Sequence, residues 1–140
     1  MANEAIKSYG TPVTISTSAG TLTATVVDTE TKAALTQTYP LADLSLSVTF
    51  SVAPTVLGNI DVYRHDLNID GAGNTPTPIA AYPRVYVGSF SVAAVTSLQY
   101  LALNGIPTSP DCTFYIENNT NQTMSTGWVL KAKPYTYGTA

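Results

Sequence analysis

The sequence predicts an all-β protein, an antiparallel β-sandwich of the jelly-roll or Greek-key type with about eight strands. The stretch Leu44 to Val52 alternates apolar and hydroxyl side chains without a break, so it is expected to form a strand with one buried face. Only 11% of the residues are charged, against about 25% in typical soluble domains, and threonine and serine fill the polar positions instead. Turn-forming clusters separate the alternating segments, and no stretch has a convincing helical period.

The composition indicates one domain. With 140 residues, the chain is long enough to bury a core without disulfides or metal, and its 44% apolar content argues against disorder. Residues 1–11 show no periodicity and are expected to form an N-terminal arm, which leaves 12–140 as a single sandwich domain. The single cysteine, Cys112, excludes an internal disulfide. Because it shares strand parity with Phe114, we expect it to be buried and unreactive.

The first elements are expected to be a hairpin and a polar connection. Two short alternating segments, 13–16 and 21–27, flank a turn at Gly20 and predict a hairpin in which Val26 points inward. Residues 28–42 are polar and are expected to contain at most one helical turn. The strand at 44–52 follows, and its outer face carries only hydroxyl groups, which indicates a sheet surface that contacts a partner.

The next expected strand covers residues 56–65 and leads into a long connection. Ile60 and Val62 are expected to point inward, whereas Asp61, Tyr63 and His65 are expected to face solvent. The connection that follows has about sixteen residues rich in turn formers, a length that is uncommon within compact domains and often functional.

The second half of the chain contains the remaining expected strands. In the first of these, the apolar parity changes near Gly88-Ser89, which predicts a β-bulge there. In the last, Trp128 and Leu130 are expected inward, and Tyr135 and Tyr137 outward. The expected strands are 84–92, 96–103, 113–118 and 127–137.

One motif suggests calcium. Residues 66–71, DLNIDG, match the beginning of a calcium-binding loop, and Asn74 falls at its ninth position. The twelfth position, however, is Thr77 rather than glutamate, and the prolines on either side of it exclude the exiting helix. Asp, Asn and Gly also suit any tight turn. We therefore favour a surface turn and predict neither a metal site nor a cofactor.

Other chemistries find little support. His65 is the only histidine, and no arrangement around it predicts a catalytic triad, so we do not expect an enzyme. The net charge is −3 and the basic residues are scattered, which argues against binding to nucleic acid or to a membrane. No run approaches the roughly 20 apolar residues of a membrane span, and the sequence MANEAIKSYG lacks the apolar region of a secretory signal. The protein is therefore expected to be made in the cytoplasm. The Asn-x-Thr triplets at 118–120 and 121–123 are interpreted as turn chemistry.

The pattern as a whole resembles a known class of proteins. Hydroxyl-rich strands, a proline-rich loop and the segment FYIENNTNQTMSTGWVLKAKPYTYG at 114–138 are similar to the small jelly-roll cement or decoration proteins of tailed bacteriophage capsids, especially those of short-tailed phages. This resemblance implies a noncatalytic virion protein on the capsid exterior. It would bind the outside of the major capsid protein shell, often as a homodimer, and tie neighbouring subunits together. It carries no individual binding residues to this chain.

Physical reasoning indicates which residues would make such contacts. Uncharged arms and loops are the easiest to desolvate, and exposed tyrosines suit protein interfaces, although half-buried rim tyrosines are an equally good interpretation. The expected partner-binding residues are Thr75, Pro76, Thr77, Pro78, Ile79, Tyr82, Tyr135 and Tyr137. Two alternatives remain open: a carbohydrate-binding jelly-roll module, with structural calcium at 66–74, and a tail or fibre component.

Overall fold

The chain forms two antiparallel β-sheets that enclose one apolar core. The computed structural model describes residues 5–18, 20–29, 32–35, 39–67 and 85–139, and the regular structure in these ranges is entirely β. The predicted all-β sandwich is therefore confirmed. Its eight strands are β1 (Ala5–Tyr9), β2 (Val13–Thr17), β3 (Leu41–Val48), β4 (Asn59–Asp66), β5 (Val85–Ser91), β6 (Gln99–Pro107), β7 (Cys112–Asn118) and β8 (Val129–Thr139).

The strand pairing follows a jelly-roll path. The larger sheet has the order β1-β8-β3-β6, with β2 also paired to β8, and the smaller sheet has the order β5-β4-β7. Along the chain, four antiparallel pairings are nested inside one another: β4 with β5, β3 with β6, Val27 and Leu35 with β7, and β2 with β8. The third of these consists of isolated bridges rather than a regular strand. Nested pairs that alternate between two sheets are the double Greek key of a jelly roll.

The N-terminal segment departs from the expected arm. Residues 5–9 form β1, which pairs with residues 135–139 of β8, and β2 pairs with residues 129–132 of the same strand. Between them, the amide of Gly10 donates a hydrogen bond to the carbonyl of Pro134 at 2.7 Å. Together, β1 and β2 therefore protect one edge of β8 along most of its length. Residues 1–4 lie outside the described ranges.

The predicted alternation around β3 is confirmed up to Phe50. The apolar side chains at positions 44, 46, 48 and 50 are buried, whereas Val52 is exposed. The inward alternation ends before Val52 because β3 ends at Val48 and Phe50 adds only a single bridge, to Met124. Large side chains from both sheets and their connections fill the core, among them Phe50, Phe90, Phe114 and Trp128.

The hairpin expected around Gly20 is wrong. β2 pairs with β8 in the larger sheet, whereas Val27 bridges to Glu117 in the smaller one. The two segments therefore lie in different sheets, and Val26, expected inward, is exposed. Nested pairing with distant C-terminal strands has overridden the local turn.

The connection at 28–42 also differs from expectation. Two of the charged side chains that make it polar, Asp28 and Lys32, are buried and form an ion pair. Residues 32–35 do not form a helical turn, because Leu35 makes a two-way backbone bridge to Cys112 and the amide of Ala33 donates to the carbonyl of Ile15 at 2.8 Å. Backbone hydrogen bonds therefore hold Ala33 and Leu35 against β2 and β7, respectively.

The predicted bulge in β5 is confirmed. Val62 pairs with Gly88 and Tyr63 pairs with Tyr86, so Val87 is the extra residue. A Cβ atom at Gly88 would lie 2.7 Å from Cδ2 of Leu103 on β6, closer than carbon atoms approach without a shift. Glycine at this position lets β5 pass close to the other sheet.

Candidate interaction surfaces

Two features of the described residues concern metal binding and thiol reactivity. No group of three His, Cys, Asp or Glu side chains among them could hold a metal ion. Cys112 is fully buried, as predicted, and burial raises the pKa of its thiol, which opposes nucleophilic chemistry. No helix in the described ranges is long and apolar enough to cross a membrane.

The expectation that His65 faces solvent is wrong. Its side chain lies on the outer face of β4, as parity predicts, but it is only 2% exposed. Its partner across the sheet, Thr113, and the neighbouring Tyr115 are buried on the same face, so this face is covered here. Burial lowers the pKa of His65, while the charge of Asp66 acts in the opposite direction.

Asp66, the first residue of the calcium-like motif, is already engaged. Burial tends to raise its pKa, but hydrogen bonds from Arg64 and Ser109 outweigh that effect and lower it. The guanidinium of Arg64 donates to both carboxylate oxygens, at 2.7 and 3.2 Å. This arrangement favours the interpretation of a structural turn. The rest of the motif and the expected contact residues Thr75 to Ile79 and Tyr82 lie outside the described residues.

The two C-terminal tyrosines have different environments. Tyr137 is exposed, as expected, but Tyr135 is only 3% exposed, so the expectation that it faces solvent is wrong. The ammonium of Lys7 lies 4.0 Å from the centre of the Tyr135 ring. The centres of the Tyr9 and Tyr135 rings are 5.7 Å apart. Lys7 and Tyr9 come from β1, which the sequence did not predict as a strand.

A cluster of charged and aromatic side chains fastens β1 to the sheet. The Nζ of Lys7 lies 2.6 Å from Oδ2 of Asp43 on β3, and the hydroxyl of Tyr9 donates to the same oxygen at 3.2 Å. The hydrogen bond to Asp43 is the main cause that raises the pKa of Lys7. Lys133 adds a cation–π contact with Tyr9, 4.1 Å from its ring centre. These contacts fix the N-terminal strand in place.

The hydroxyl face of β3 becomes the floor of a groove on the outside of the larger sheet. Two adjoining depressions of about 280 and 110 Å³ share Ser45 and Lys131 in their linings. Small side chains, Ser45, Ser47 and Ala102, form the low part, and Tyr100 stands at one end with 81% of its surface exposed. The sequence-based expectation that this face is available for contact is consistent with this geometry.

A second surface lies where three connections meet at one end of the sandwich. We call residues 49–58, 92–98 and 119–128 the neutral loop end. The amide of Val92 donates a hydrogen bond to the carbonyl of Gly58 at 3.1 Å, and the amide of Ser125 donates one to the carbonyl of Thr49 at 2.9 Å. Five large exposed apolar side chains belong to this end: Val52, Val56, Leu57, Val95 and Leu98.

The neutral loop end carries no charge. The sequence contains no Asp, Glu, Lys, Arg or His in 44–60, 85–110 or 118–130, which include the three connections and the strand ends that support them. The carboxylate in contact with this end is that of half-buried Asp61, which accepts a hydrogen bond from the side chain of Asn119 at 2.7 Å. Exposed apolar groups on a surface without charged residues of its own are typical of surfaces that become covered. The low charge content of the chain is visible in its composition. That the uncharged segments meet at one end is not visible in the sequence, because the three segments are distant from one another along the chain.

Asn118 organises the third of these connections. Its side chain is fully buried and makes four hydrogen bonds. Nδ2 donates to the carbonyls of Leu22 and Gln122 at 2.9 and 2.8 Å, and Oδ1 accepts from the amide and the hydroxyl of Thr120 at 3.1 and 2.7 Å. The turn predicted for this Asn-x-Thr triplet is confirmed.

Comparison with known proteins assigns no family. No protein-family model matches the chain, and no curated protein matches its sequence.

Proposed function

We propose that this chain is a noncatalytic virion structural protein, a capsid decoration or cement protein that binds the outside of the major capsid protein shell and ties neighbouring subunits together. The observation that carries the proposal is the neutral loop end, a rigidly connected and uncharged surface with five exposed apolar side chains. Such a surface is inexpensive to desolvate, because burying an unpaired charge is far more costly than burying apolar or hydroxyl groups.

The architecture supports a binding role. The sandwich is held by pairings between residues distant in sequence, and β1 and β2 protect the edge of β8, so it presents its loops on a rigid scaffold. Every Å² of apolar surface that docking removes from water would stabilise the docked copy by about 25 cal/mol. Many copies on a shell would add these contributions. A homodimer formed through a strand face or edge belongs to the same proposal, and sedimentation equilibrium would test it.

The first experiment is quantitative mass spectrometry of gradient-purified particles from the source lysate. Hundreds of copies for each particle, near stoichiometric with the shell protein, are expected for a decoration protein. A few copies would indicate a tail or fibre component, and absence from the particles would contradict a virion role.

The proline-rich loop is part of the proposal. Residues 75–80 are expected to contribute to shell binding together with Tyr82 and Tyr137, so their deletion should lower the number of copies on each particle. The thermal unfolding of the purified deletion variant serves as the control for folding. Unchanged occupancy would remove this loop from the contact surface.

A carbohydrate-binding module is the second candidate, and the groove on the larger sheet favours it. Tyr100 offers an exposed aromatic face beside the hydroxyl groups of Ser45 and Ser47, and aromatic faces stack on sugar rings. Retention of the protein on a glycan array, lost on Tyr100→Ala substitution, would support this candidate. A melting temperature that falls on addition of a chelator would further support calcium at residues 66–74.

A further inference from the structure

We infer that Leu57 is the anchor residue of the neutral loop end, and that it inserts into an uncharged apolar pocket of the partner protein. This inference rests on the proposed function, whose shell protein is the partner. It assigns the contact to a side chain that sequence analysis did not single out.

The backbone conformation at Leu57 is unfavourable for leucine. Residues 55–58 form a tight turn, in which the amide of Gly58 donates to the carbonyl of Thr55 at 3.2 Å. Leu57 occupies the third position with a φ of 74°, a left-handed conformation for which glycine or asparagine is the usual residue. A bulky side chain in this conformation strains the backbone.

The solvent exposure of the side chain is also unfavourable for leucine. The side chain of Leu57 is 91% exposed and that of the adjacent Val56 is 75% exposed, so neither contributes to the core. Strain and exposed apolar surface both disfavour leucine in the isolated protein, and glycine at this position would relieve both. An apolar contact with a partner provides the compensating free energy that the isolated chain lacks.

The turn is held in place before any partner binds. The side-chain oxygen of Asn121 accepts a hydrogen bond from the amide of Thr55 at 2.9 Å. The neighbouring connection is held from β6, where the buried side chain of Gln99 accepts a hydrogen bond from the amide of Ala93 at 2.8 Å and donates to the carbonyl of Ala93 at 3.1 Å. Leu57 is therefore presented on a braced backbone, so that binding would require little additional ordering.

The absence of charge selects a protein pocket over a membrane. Peripheral attachment to anionic lipid depends on lysine and arginine side chains, and the neutral loop end has none. It also lacks the tryptophan and tyrosine side chains that favour the membrane interface, because its one Trp, Trp128, is buried. A pre-organised apolar side chain with an uncharged rim matches an apolar pocket with an uncharged rim.

The test is the substitution Leu57→Gly, assayed by the copy number of the chain on gradient-purified particles and by thermal unfolding of the purified protein. We expect at least a tenfold loss of copies for each particle, the size of effect typical of an interface anchor. We also expect a melting temperature equal to or above that of the wild type. The matched control is Ile6→Thr, which removes a 51% exposed apolar side chain from β1, toward the other end of β8. It should leave occupancy unchanged.

The remaining outcomes separate the inference from the proposed function. Wild-type chain absent from the particles would overturn the proposed function and this inference with it. Abundant wild-type chain together with undiminished Leu57→Gly occupancy would overturn only the role of Leu57. A markedly lower melting temperature for Leu57→Gly would show that Leu57 stabilises the fold and would also overturn the inference. Two further results would overturn the inference. One is binding of the wild type to vesicles of pure phosphatidylcholine, and the other is a dimer of the wild type that the Leu57→Gly substitution dissociates.

Discussion

Single residues show that strand parity predicts the direction of a side chain better than its burial. Cys112 and Trp128 are buried as predicted because they point into the core between the sheets. His65 and Tyr135 point outward as predicted, yet both are buried. For Tyr135, the cover comes from Lys7 and Tyr9, more than a hundred residues away in the sequence. Local alternation contains no information about such distant neighbours.

The side-chain amide of Asn118, at the end of β7, is expected to be the polar group on which the third connection of the neutral loop end depends most. The Asn118→Ala substitution removes four hydrogen bonds and takes the acceptor from the buried amide of Thr120. The carbonyls of Leu22 and Gln122 each lose one of two donors and keep the other, from Met124 and Thr120. We expect the free energy of unfolding to fall by about 3 kcal/mol, measured by urea denaturation. Asn104→Ala, at an exposed position of β6, is the matched control and should change it by less than about 0.5 kcal/mol. Equal effects of the two substitutions would contradict this role for Asn118.

At the level of elements, two segments that lack any periodic signal prove to be tightly incorporated. β1 adds to the larger sheet through its backbone and through the contacts of Lys7 and Tyr9 with Asp43. Val27 and Leu35 add to the smaller sheet through isolated bridges, and the charged side chains of Asp28 and Lys32 form a buried ion pair beside them. Backbone pairing with an available strand edge does not require an alternating sequence, which is why sequence analysis missed both.

The ion pair in the segment 27–35 gives a prediction for that element. Lys32 is fully buried, close to Asp28 and 5.8 Å from the ring centre of Trp128. The Asp28→Asn substitution would leave this ammonium buried without its counter-charge, and we expect a loss of about 3–5 kcal/mol in unfolding free energy.

The double variant Asp28→Asn/Lys32→Met tests the physical reason. Because it removes both charges, it should recover most of the stability that the single variant loses. Chemical denaturation of the wild type, both single variants and the double variant completes the cycle. A double variant as unstable as Asp28→Asn would show that packing, rather than the buried charge, accounts for the loss.

For the whole molecule, the distribution of charge is the most informative property. The net charge of −3 is small, and no charged residue lies within the three segments of the neutral loop end. Several of them form ion pairs within the chain instead, Asp28 with Lys32 in the interior and Asp43 with Lys7 and Asp66 with Arg64 at half-buried positions. The low charge content thus leaves one end of the sandwich free for apolar contact.

The stability of the whole molecule is expected to decrease in acid in two stages. Folding lowers the pKa of His65 below 6.5, chiefly by burial, so the unfolded chain takes up this proton first as the pH falls. The free energy of unfolding should therefore fall below about pH 6.5, by at most about 1.4 kcal/mol for each pH unit. Asp43 and Asp66, whose pKa values are lowered from 3.8, add a second loss below that value.

Urea denaturation between pH 8 and pH 3 measures both stages. The His65→Gln variant should flatten the profile between pH 7 and pH 5 while it keeps the loss in stronger acid. A wild-type profile already flat between pH 7 and pH 5 would show that burial does not hold His65 in its neutral form.

The sequence by itself determined the fold class, the inward faces of β3, β7 and β8, the bulge beside Gly88 and the turn at Asn118. Each of these follows from period-two alternation or from the conformational preference of a few consecutive residues. Only the tertiary structure decided that β2 pairs with β8, that residues 5–9 form a strand, that His65 and Tyr135 are covered, and that three neutral connections meet around Leu57. These features depend on contacts between residues that are far apart in the chain, and a nested jelly-roll path brings together segments whose proximity no local pattern records.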